Sequence, residues 1–286
     1  PMFEEALERH NVPLELKYLP VIESALNAKA KSPVGASGLW QFMVGTGKIY
    51  GLEVNSMVDE RRDPRKASDA AARFLADLYK LYGDWHLVIA AYNCGPGNVA
   101  KALRIANGKR NFWEIYPYLP RETRSYVPLF IAANYIMNFY EEHNMCPATP
   151  LFSYTTDTVM ISDRVHLQQI AEKLNIPLDE LKFLNPQYRY DIIPGNIKPY
   201  PLVLPFEHIN SYALNRDSIL AYKPELAKRE IKFEPSEGEV IYYKVKSGDT
   251  LGGIAKKYRV SVKNIQKWNK LKSTTIRIGQ KLRIYK

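Results

Sequence analysis

A short pattern occurs twice in this chain of 286 residues, at an offset of 84 residues. The sequence Leu-x-x-Ile-Ala-x-Lys begins at Leu167 and again at Leu251, and Asn185 matches Asn269 at the same offset without a gap. Self-similarity of this regularity indicates one structural unit present in two copies. The C-terminal half is therefore predicted to hold two small modules, and the residues before them must fold separately.

The N-terminal part is predicted to be one all-α domain. Apolar side chains recur at helical spacing over Lys66–Tyr82, and Asp84 is placed to cap a short apolar helix through Tyr92. Pro96 can begin the next helix, and a long apolar helix is expected around Tyr126–Tyr140. After residue 150, short β-rich stretches instead bracket single helical segments.

These patterns predict an α+β multidomain protein. The all-α domain is assigned to residues 1–150 and is followed by a degenerate copy of the small module with a connector at 151–221. A charged segment poor in apolar residues is interpreted as a linker at 222–240, and the second module takes 241–286. Each module is predicted to follow a βααβ order.

The net charge of +10 is unevenly distributed. Residues 242–286 hold thirteen Lys and Arg against the single acid Asp249, which is +12, so the rest of the chain carries −2. A basic surplus raises the question of nucleic-acid binding, but here it belongs to one small module that binds something anionic or only gains solubility. We therefore expect no nucleic-acid partner for the body of the protein.

Several other classes of protein are disfavoured. No run of ~18 apolar residues is present to span a membrane, and because the chain begins with Pro1, membrane association is expected only through an N-terminal anchor outside it. Cys94 and Cys146 are too few for a disulfide framework, and the five histidines are scattered. No metal site and no cofactor are expected.

Glu23 is the carboxylate that stands out in the all-α part. Leu16, Leu19 and Leu26 are spaced so that they would share one helical stripe with it. Burial disfavours a charged carboxylate and raises its pKa, which is what a general acid near neutral pH needs. The alternative is a boundary glutamate at a helix end that pairs with an arginine. Pro20 either kinks this helix or begins a new one.

Three further segments combine glycine, aromatic and polar residues. Glycine lets a backbone approach a ligand closely, and Gln41 between two aromatic residues offers both a donor and an acceptor. The alternatives are a tight turn, a helix C-cap and a capping segment with one core tyrosine. The segments are Gly35–Phe42, Ala90–Gly97 and Glu122–Pro128.

Two other features receive structural interpretations. The charge cluster Asp59-Glu60-Arg61-Arg62-Asp63 is interpreted as a solvated loop. Cys94 has neither a histidine partner nor a basic neighbour in its motif, so it is interpreted as a packed thiol rather than a nucleophile.

Taken together, four motifs resemble the lysozyme-like lytic transglycosylases. They occur in that family's order and approximate spacing, and the type with LysM repeats, membrane-bound murein transglycosylase D, is the most similar. Trp40 departs from the family turn, which most often has methionine; this should alter sugar packing but not the fold. The motifs are Glu23-Ser24, Gly38-Leu39-Trp40-Gln41, Ala91-Tyr92-Asn93-x-Gly95 and Glu122-Thr123-x-x-Tyr126.

The resemblance implies a lyase reaction on peptidoglycan. In the family, one glutamic acid protonates the oxygen between MurNAc and GlcNAc, and then removes a proton from the C6 hydroxyl that attacks C1. The position of Glu23 matches that acid, and the hydroxyls of Tyr92 and Tyr126 would orient it or steady the N-acetyl group. Substrate contacts would come from Gln41 and Asn93 and, less strongly supported, from Ser24 and Ser32.

The second module resembles a LysM domain, because it opens with Val-x-x-Gly-Asp-Thr-Leu. The family binds N-acetylglucosamine chains in a shallow groove, so peptidoglycan glycan strands are the implied partner. The first copy lacks Gly-Asp-Thr before Leu167 and is expected only to pack against the enzyme domain. The residues implied to lie near the groove are Gly248, Asp249, Thr250, Asn269 and Ile276.

Three alternatives stay open at this point. A goose-type lysozyme would admit water, a non-catalytic cell-wall binding protein would have an inactive enzyme-like domain, and a basic nucleic-acid-binding protein would use the C-terminal charge. The lack of a partnering carboxylate disfavours the first, and the presence of Glu23, Tyr92 and Tyr126 disfavours the second. The resemblance implies a location in the periplasm or at the periplasmic face of the outer membrane.

Overall fold

The computed structural model describes residues 1–148, 155–224, 240–258, 260–271 and 273–285. We call residues 1–148 the all-α domain, residues 155–222 the first module and residues 240–285 the second module. The predicted boundary at residue 150 and most of the predicted linker, residues 225–239, lie outside the described part of the chain.

The all-α domain consists of helices, as predicted, and two longer irregular segments at residues 25–43 and 50–63 connect some of them. Asp63 caps α4 by accepting from two backbone N–H groups, and Asp84 caps α5 through the N–H of Leu87. The long helix α8 begins at Arg121, earlier than the predicted start, so the fourth motif forms its first turns. The helices are α1 Met2–Arg9, α2 Leu19–Ser24, α3 Val44–Ile49, α4 Pro64–Tyr82, α5 Trp85–Cys94, α6 Pro96–Ile105, α7 Phe112–Ile115 and α8 Arg121–Asn138.

Helix α5 lies at the centre of this domain. Its residues from Leu87 to Ala91 are all buried, and α4, α6 and α8 pack around it. A helix that is apolar on every side can be stable only where neighbours cover all of its faces. The sequence of α5 therefore places the third motif, at its C-terminal end, inside the domain.

The predicted stripe of Leu16, Leu19, Glu23 and Leu26 on one helix is wrong at its C-terminal end. A 3₁₀ helix over Leu14–Tyr18 is followed by the separate helix α2, which has Pro20 in its first turn. Leu16 and Leu19 are buried, whereas Leu26 is 51% exposed. The reason is that Ala25 and Leu26 adopt left-handed φ values of 48° and 59°, which end the helix directly after Ser24.

The first module contains two antiparallel strand pairs, β1 with β4 and β2 with β3. Its two central helices lie between β2 and β3, which preserves the predicted order of strand, helix, helix and strand. Helix α11 follows and packs against α9. The elements are β1 Thr156–Ile161, β2 Arg164–His166, α9 Leu167–Leu174, α10 Leu178–Leu184, β3 Ile192–Pro194, β4 Tyr200–Pro205 and α11 Ile209–Ala221.

The second module has the predicted βααβ order. Strands β5 Val240–Lys244 and β6 Lys281–Tyr285 pair antiparallel, and helices α12 Leu251–Tyr258 and α13 Val262–Asn269 lie between them in sequence. Ser261 caps α13, as its position suggests. The buried apolar cluster of this module is built from its own residues.

The matching asparagines of the two modules make the same set of hydrogen bonds. The side-chain amide of Asn185 donates to the carbonyl oxygens of Leu181 and Val203 and accepts from the N–H of Val203. Asn269 makes the equivalent three bonds to Ile265 and Arg283. The repeated asparagine thus ties the second helix of each module to its last strand.

The charge cluster at residues 59–63 is buried, so its interpretation as a solvated loop is wrong. Asp59 is 0% exposed and Arg61 is 3% exposed. Asp59 accepts from Arg61 at 2.8 and 2.9 Å and from Arg189 of the first module at 2.9 Å. Burial alone would raise the pKa of Asp59, but the hydrogen bonds and charges of the arginines lower it.

The loop before this cluster joins the all-α domain to the first module. Met57 and Val58 are fully buried within the apolar cluster of the first module, and Val58 forms an antiparallel β-bridge with Tyr188. The backbone N–H of Arg189 donates to Met57 at 2.7 Å. The expectation that the first module packs against the enzyme-like domain is confirmed by these contacts.

Within the described ranges, no helix combines the length and apolar character needed to cross a bilayer. The same residues contain no group of three or more His, Cys, Asp or Glu side chains arranged to hold a metal ion.

Candidate active site

Glu23 lies in the last turn of α2, half-buried against α8. The hydroxyl of Tyr126 donates to Glu23 Oε1 at 2.5 Å, across 103 residues of sequence. Burial, as the largest cause, raises the pKa of Glu23 to about 7; the Tyr126 hydrogen bond opposes this shift and the charge of Glu122 adds to it. A carboxyl group in this position is substantially protonated near neutral pH and can donate a proton.

Tyr92 lies beside the same carboxylate but makes a different hydrogen bond. Its hydroxyl donates to the backbone carbonyl of Trp40 at 2.7 Å rather than to Glu23. Burial, and then the nearby charge of Glu23, raise the pKa of Tyr92 well above its usual value. Tyr92 therefore stays neutral and ties α5 to the turn at residues 35–42.

The turn at residues 35–42 packs tightly against the buried charge cluster. Gly38 has a φ of +88°, and a Cβ atom there would lie 1.7 Å from the carbonyl oxygen of Arg61, so only glycine fits. Arg61 donates through Nη1 to the carbonyl oxygens of Gly35 at 2.8 Å and Phe42 at 2.9 Å. Both ends of the turn are thereby held by one guanidinium.

Gln41 and Trp40 of this turn contribute differently from expectation. The Gln41 amide donates to the Gly38 carbonyl at 2.8 Å and is half-buried. The Trp40 ring is fully buried, donates to Ser68 Oγ at 2.9 Å and packs edge-on against Phe3. The tryptophan at position 40, where the family most often has methionine, therefore affects core packing. Because its ring is fully buried, the expected effect on sugar packing is not supported.

The two candidate serines both make local backbone contacts. Ser24 Oγ donates to the carbonyl oxygens of Pro20 at 3.0 Å and Leu39 at 2.9 Å, which links the end of α2 to the turn. Ser32 Oγ accepts from the N–H of Ala36 at 3.0 Å. These bonds match the structural alternative for a hydroxyl bonded to backbone.

Asn93 follows Tyr92 at the end of α5 and faces α8. Its Oδ1 accepts from the hydroxyl of Thr123 at 2.8 Å, so the third and fourth motifs meet here. Cys94 next to it is half-buried, and burial raises the pKa of its thiol, which fits a packed thiol rather than a nucleophile.

Three candidate residues of the second module lie in one loop, and the other two, Asn269 and Ile276, make contacts within the module. Gly248, Thr250 and Asp249 lie in the loop before α12, where Thr250 caps the helix and Asp249 accepts from Tyr243 and from the N–H of Lys246. The Asn269 amide bonds to Ile265 of its own helix and to both backbone groups of Arg283 in β6, so a direct glycan contact through that group is disfavoured. Ile276 packs partly against the module's apolar cluster.

Arg61 holds the turn at residues 35–42 in place, and sequence reasoning missed this structural role. Its chain of contacts runs from Asp59 to both ends of the turn that carries Gln41. No local signal distinguishes this buried charge cluster from a solvated one, because Arg189, which pairs with Asp59, lies 130 residues further along the chain. The one hint in the sequence is Gly38, because a glycine in a turn allows another backbone to pack closely against it.

Comparison with known families divides the chain in the same way as its structure. Residues 1–115 match the transglycosylase SLT domain, residues 155–221 match the LysM-like domain of lytic transglycosylase MltD, and residues 243–284 match the LysM domain. The first module is thus a LysM-like domain, as its degenerate repeat suggested.

Individual relatives agree with these assignments. The membrane-bound lytic murein transglycosylase D of Escherichia coli K12 is 33% identical over 282 residues, which cover 97% of this chain and 61% of that protein. The soluble lytic murein transglycosylase of the same organism is 37% identical over 118 residues, or 38% of this chain and 18% of its own length. This chain therefore spans about three fifths of the first relative.

A solved structure is similar to part of this chain. The 70 kDa soluble lytic transglycosylase from Escherichia coli matches with a TM-score of 0.42 and 30% identity, over 49% of this chain and 24% of that one. The chain is therefore similar, over 97% of its length, to a lytic transglycosylase of the murein transglycosylase D type, and it joins a match to the SLT domain to matches to LysM-like and LysM domains.

Proposed function

We propose that this protein is a peptidoglycan lytic transglycosylase that cleaves the β-1,4 bond between MurNAc and GlcNAc and leaves 1,6-anhydro-MurNAc ends. The observation that carries the proposal is the half-buried Glu23, whose pKa is raised to about 7 and whose position is held by Tyr126. One carboxylate with this pKa can act first as an acid and then as a base at neutral pH.

In the first step Glu23 gives its proton to the glycosidic oxygen, and the bond from that oxygen to C1 of MurNAc breaks. The substrate's own N-acetyl group stabilises the positive charge that develops at C1. In the second step the Glu23 carboxylate takes the proton of the C6 hydroxyl as its oxygen bonds to C1. The proton given in the first step is recovered in the second, and no water is consumed.

Tyr126 is suited to both steps. Its hydroxyl donates to the carboxyl oxygen Oε1, which fixes the side chain and leaves Oε2 for proton transfer. The hydrogen bond also stabilises the charged form after the first step, because it lowers the pKa that burial raises. Burial keeps Tyr126 itself neutral, since its pKa lies well above the usual value.

Substrate contacts are proposed for the residues around Glu23. Gln41 and Asn93 present amides on the two segments that flank it, and Tyr92 holds the backbone of Trp40 between them. Ser24 and Ser32 would act through the backbone positions they stabilise rather than through direct contact. These roles rest on position and on the family motifs.

The second module is proposed to bind glycan strands. Its loop before α12, with Gly248, Asp249 and Thr250, is tied to β5 by the Tyr243–Asp249 hydrogen bond of 2.7 Å. The thirteen basic residues over 242–286 favour attraction to the carboxylates of peptidoglycan stem peptides. The proposed substrate supports a location in the periplasm or at the periplasmic face of the outer membrane.

A hydrolase of the goose-type lysozyme class is the second candidate, and one contact favours it. The charge of Glu122 is close enough to raise the pKa of Glu23, so a second carboxylate does lie near the acid. A carboxylate that activates water would turn the same site into a hydrolase. Glu122 is exposed at the start of α8, where it has no shielded position next to C1.

Mass spectrometry of digested peptidoglycan separates the two reactions. A lytic transglycosylase yields anhydro-MurNAc ends, whereas a hydrolase yields reducing ends heavier by one water. Glu23→Gln should abolish digestion, and the matched variant Glu122→Gln should keep both digestion and anhydro products. Reducing ends from the wild-type protein, or digestion by Glu23→Gln, would refute the proposal.

A further inference from the structure

One arginine of the first module, Arg189, reaches a buried carboxylate of the all-α domain. Arg189 Nη2 donates to Asp59 Oδ2 at 2.9 Å, and the side chain of Asp59 is only 1% exposed. The same carboxylate accepts from Arg61 through two bonds of 2.8 and 2.9 Å. Asp59 is therefore held between Arg189 of the first module and Arg61 of its own domain, with Arg62 at 3.9 Å.

Arg61 passes this constraint to the turn at residues 35–42. Its Nη1 donates to the carbonyl oxygens of Gly35 and Phe42, at the two ends of the turn. Gly38 in the middle of the turn lies against the backbone of Arg61 at a distance that excludes any side chain. The position of the turn is thus set by the position of Arg61.

The turn at residues 35–42 contacts residues around Glu23. The carbonyl of Leu39 accepts from Ser24 at 2.9 Å, next to Glu23 in sequence. The carbonyl of Trp40 accepts from Tyr92 at 2.7 Å. Hydrogen bonds of 2.7–2.9 Å therefore connect Arg189, through Asp59, Arg61 and the turn, to Ser24 and Tyr92 beside Glu23.

We propose that the LysM-like first module is a positioning element of the active site, in which Arg189 acts through Asp59 and Arg61 to hold the 35–42 turn in its substrate-binding position. This inference rests on the proposed function, since it assigns the turn to substrate. It gives the degenerate module a role that does not require it to bind glycan.

The relay should affect substrate binding more than the chemical step. The proton-transfer properties of Glu23 depend on its burial and on Tyr126 in α8, and neither involves Arg189. The turn carries Gln41 and the backbone that meets substrate. Loss of Arg189 should therefore raise KM while kcat and the alkaline pKa of the activity profile stay near their wild-type values.

Arg189→Met is the informative variant. Asp59 keeps both bonds to Arg61, and Met57, Val58 and Tyr188 keep the two domains together, so the protein should fold. On soluble, uncross-linked peptidoglycan strands, KM should rise about three- to tenfold with kcat within about twofold of wild type. Arg189→Lys keeps a charge near Asp59 and should recover part of the loss.

Arg216→Met is the matched control. Arg216 is an arginine of the same module that pairs with Asp163 inside that module, so its removal should leave KM unchanged. An unchanged KM in Arg189→Met overturns the inference, as does a fall in kcat at constant KM, which reports only a smaller folded fraction. A wild-type protein that forms no anhydro product would instead refute the proposed function.

Discussion

The burial of Glu23 should cost the folded protein stability above neutral pH, and Glu23→Gln should remove that cost. The pKa of Glu23 is about 7 in the folded state against 4.5 for an unperturbed glutamate, a difference of about 2.5. Each unit corresponds to about 1.4 kcal/mol, so ionisation of Glu23 destabilises the fold by roughly 2 to 3 kcal/mol once its partial exposure is considered.

The sign of the effect follows from which state holds the proton. Below the unfolded value of 4.5 both states are protonated and the penalty is absent. Between 4.5 and about 7 the unfolded chain loses its proton while the folded protein keeps it, so stability falls as pH rises. Glutamine cannot ionise and can still accept from Tyr126, so the variant escapes this loss.

Urea denaturation of both proteins from about pH 4 to about pH 8 tests the prediction. Tryptophan fluorescence is suitable, because Trp40, Trp85 and Trp113 belong to the all-α domain. Glu23→Gln should gain roughly 2 to 3 kcal/mol over wild type across that range, while Glu8→Gln, at an exposed glutamate of α1, should follow wild type. A difference that does not change with pH would show that burial does not perturb Glu23.

Three other predictions follow from the same geometry. In a pH–rate profile, wild-type turnover should fall as pH rises through about 7, because Glu23 must begin protonated. Tyr126→Phe should move this fall to higher pH and lower kcat, because the Tyr126 hydrogen bond lowers the pKa of Glu23. Asn269→Ala should destabilise the second module by roughly 1 to 3 kcal/mol, measured by thermal unfolding, because it leaves backbone groups of β6 without partners. Deletion of residues 242–286 should weaken retention on insoluble peptidoglycan more than it lowers turnover of short soluble fragments; equal effects on both would contradict a glycan-binding role for that module.

Local sequence signals were sufficient for most of the helices and for the module repeat. Caps such as Asp84 and Ser261, and the apolar run of α5, act within a few residues, so their effects can be deduced from spacing. The stripe through Leu26 failed because two non-glycine residues adopt left-handed φ values at the end of α2. Nothing in the residue types Ala25 and Leu26 announces such a conformation.

The candidate site was predictable as a set of motifs but not as a set of contacts. Glu23 and Tyr126 meet as the family resemblance implied, yet Tyr92 turns to a backbone carbonyl and Asn269 to a neighbouring strand. The buried state of Asp59 depends on Arg189, which belongs to another domain. Ion pairs between distant segments leave no periodic pattern, and only the folded structure displays them.

The two copies of the repeated module differ in how freely evolution or an engineer could exchange them. The second completes its apolar cluster with its own residues, so it could be grafted onto another protein as a unit. The apolar cluster of the first module includes Met57 and Val58, which belong to a loop of the all-α domain. A chimera that replaces the first module must therefore replace that loop as well, or leave two apolar side chains exposed to water.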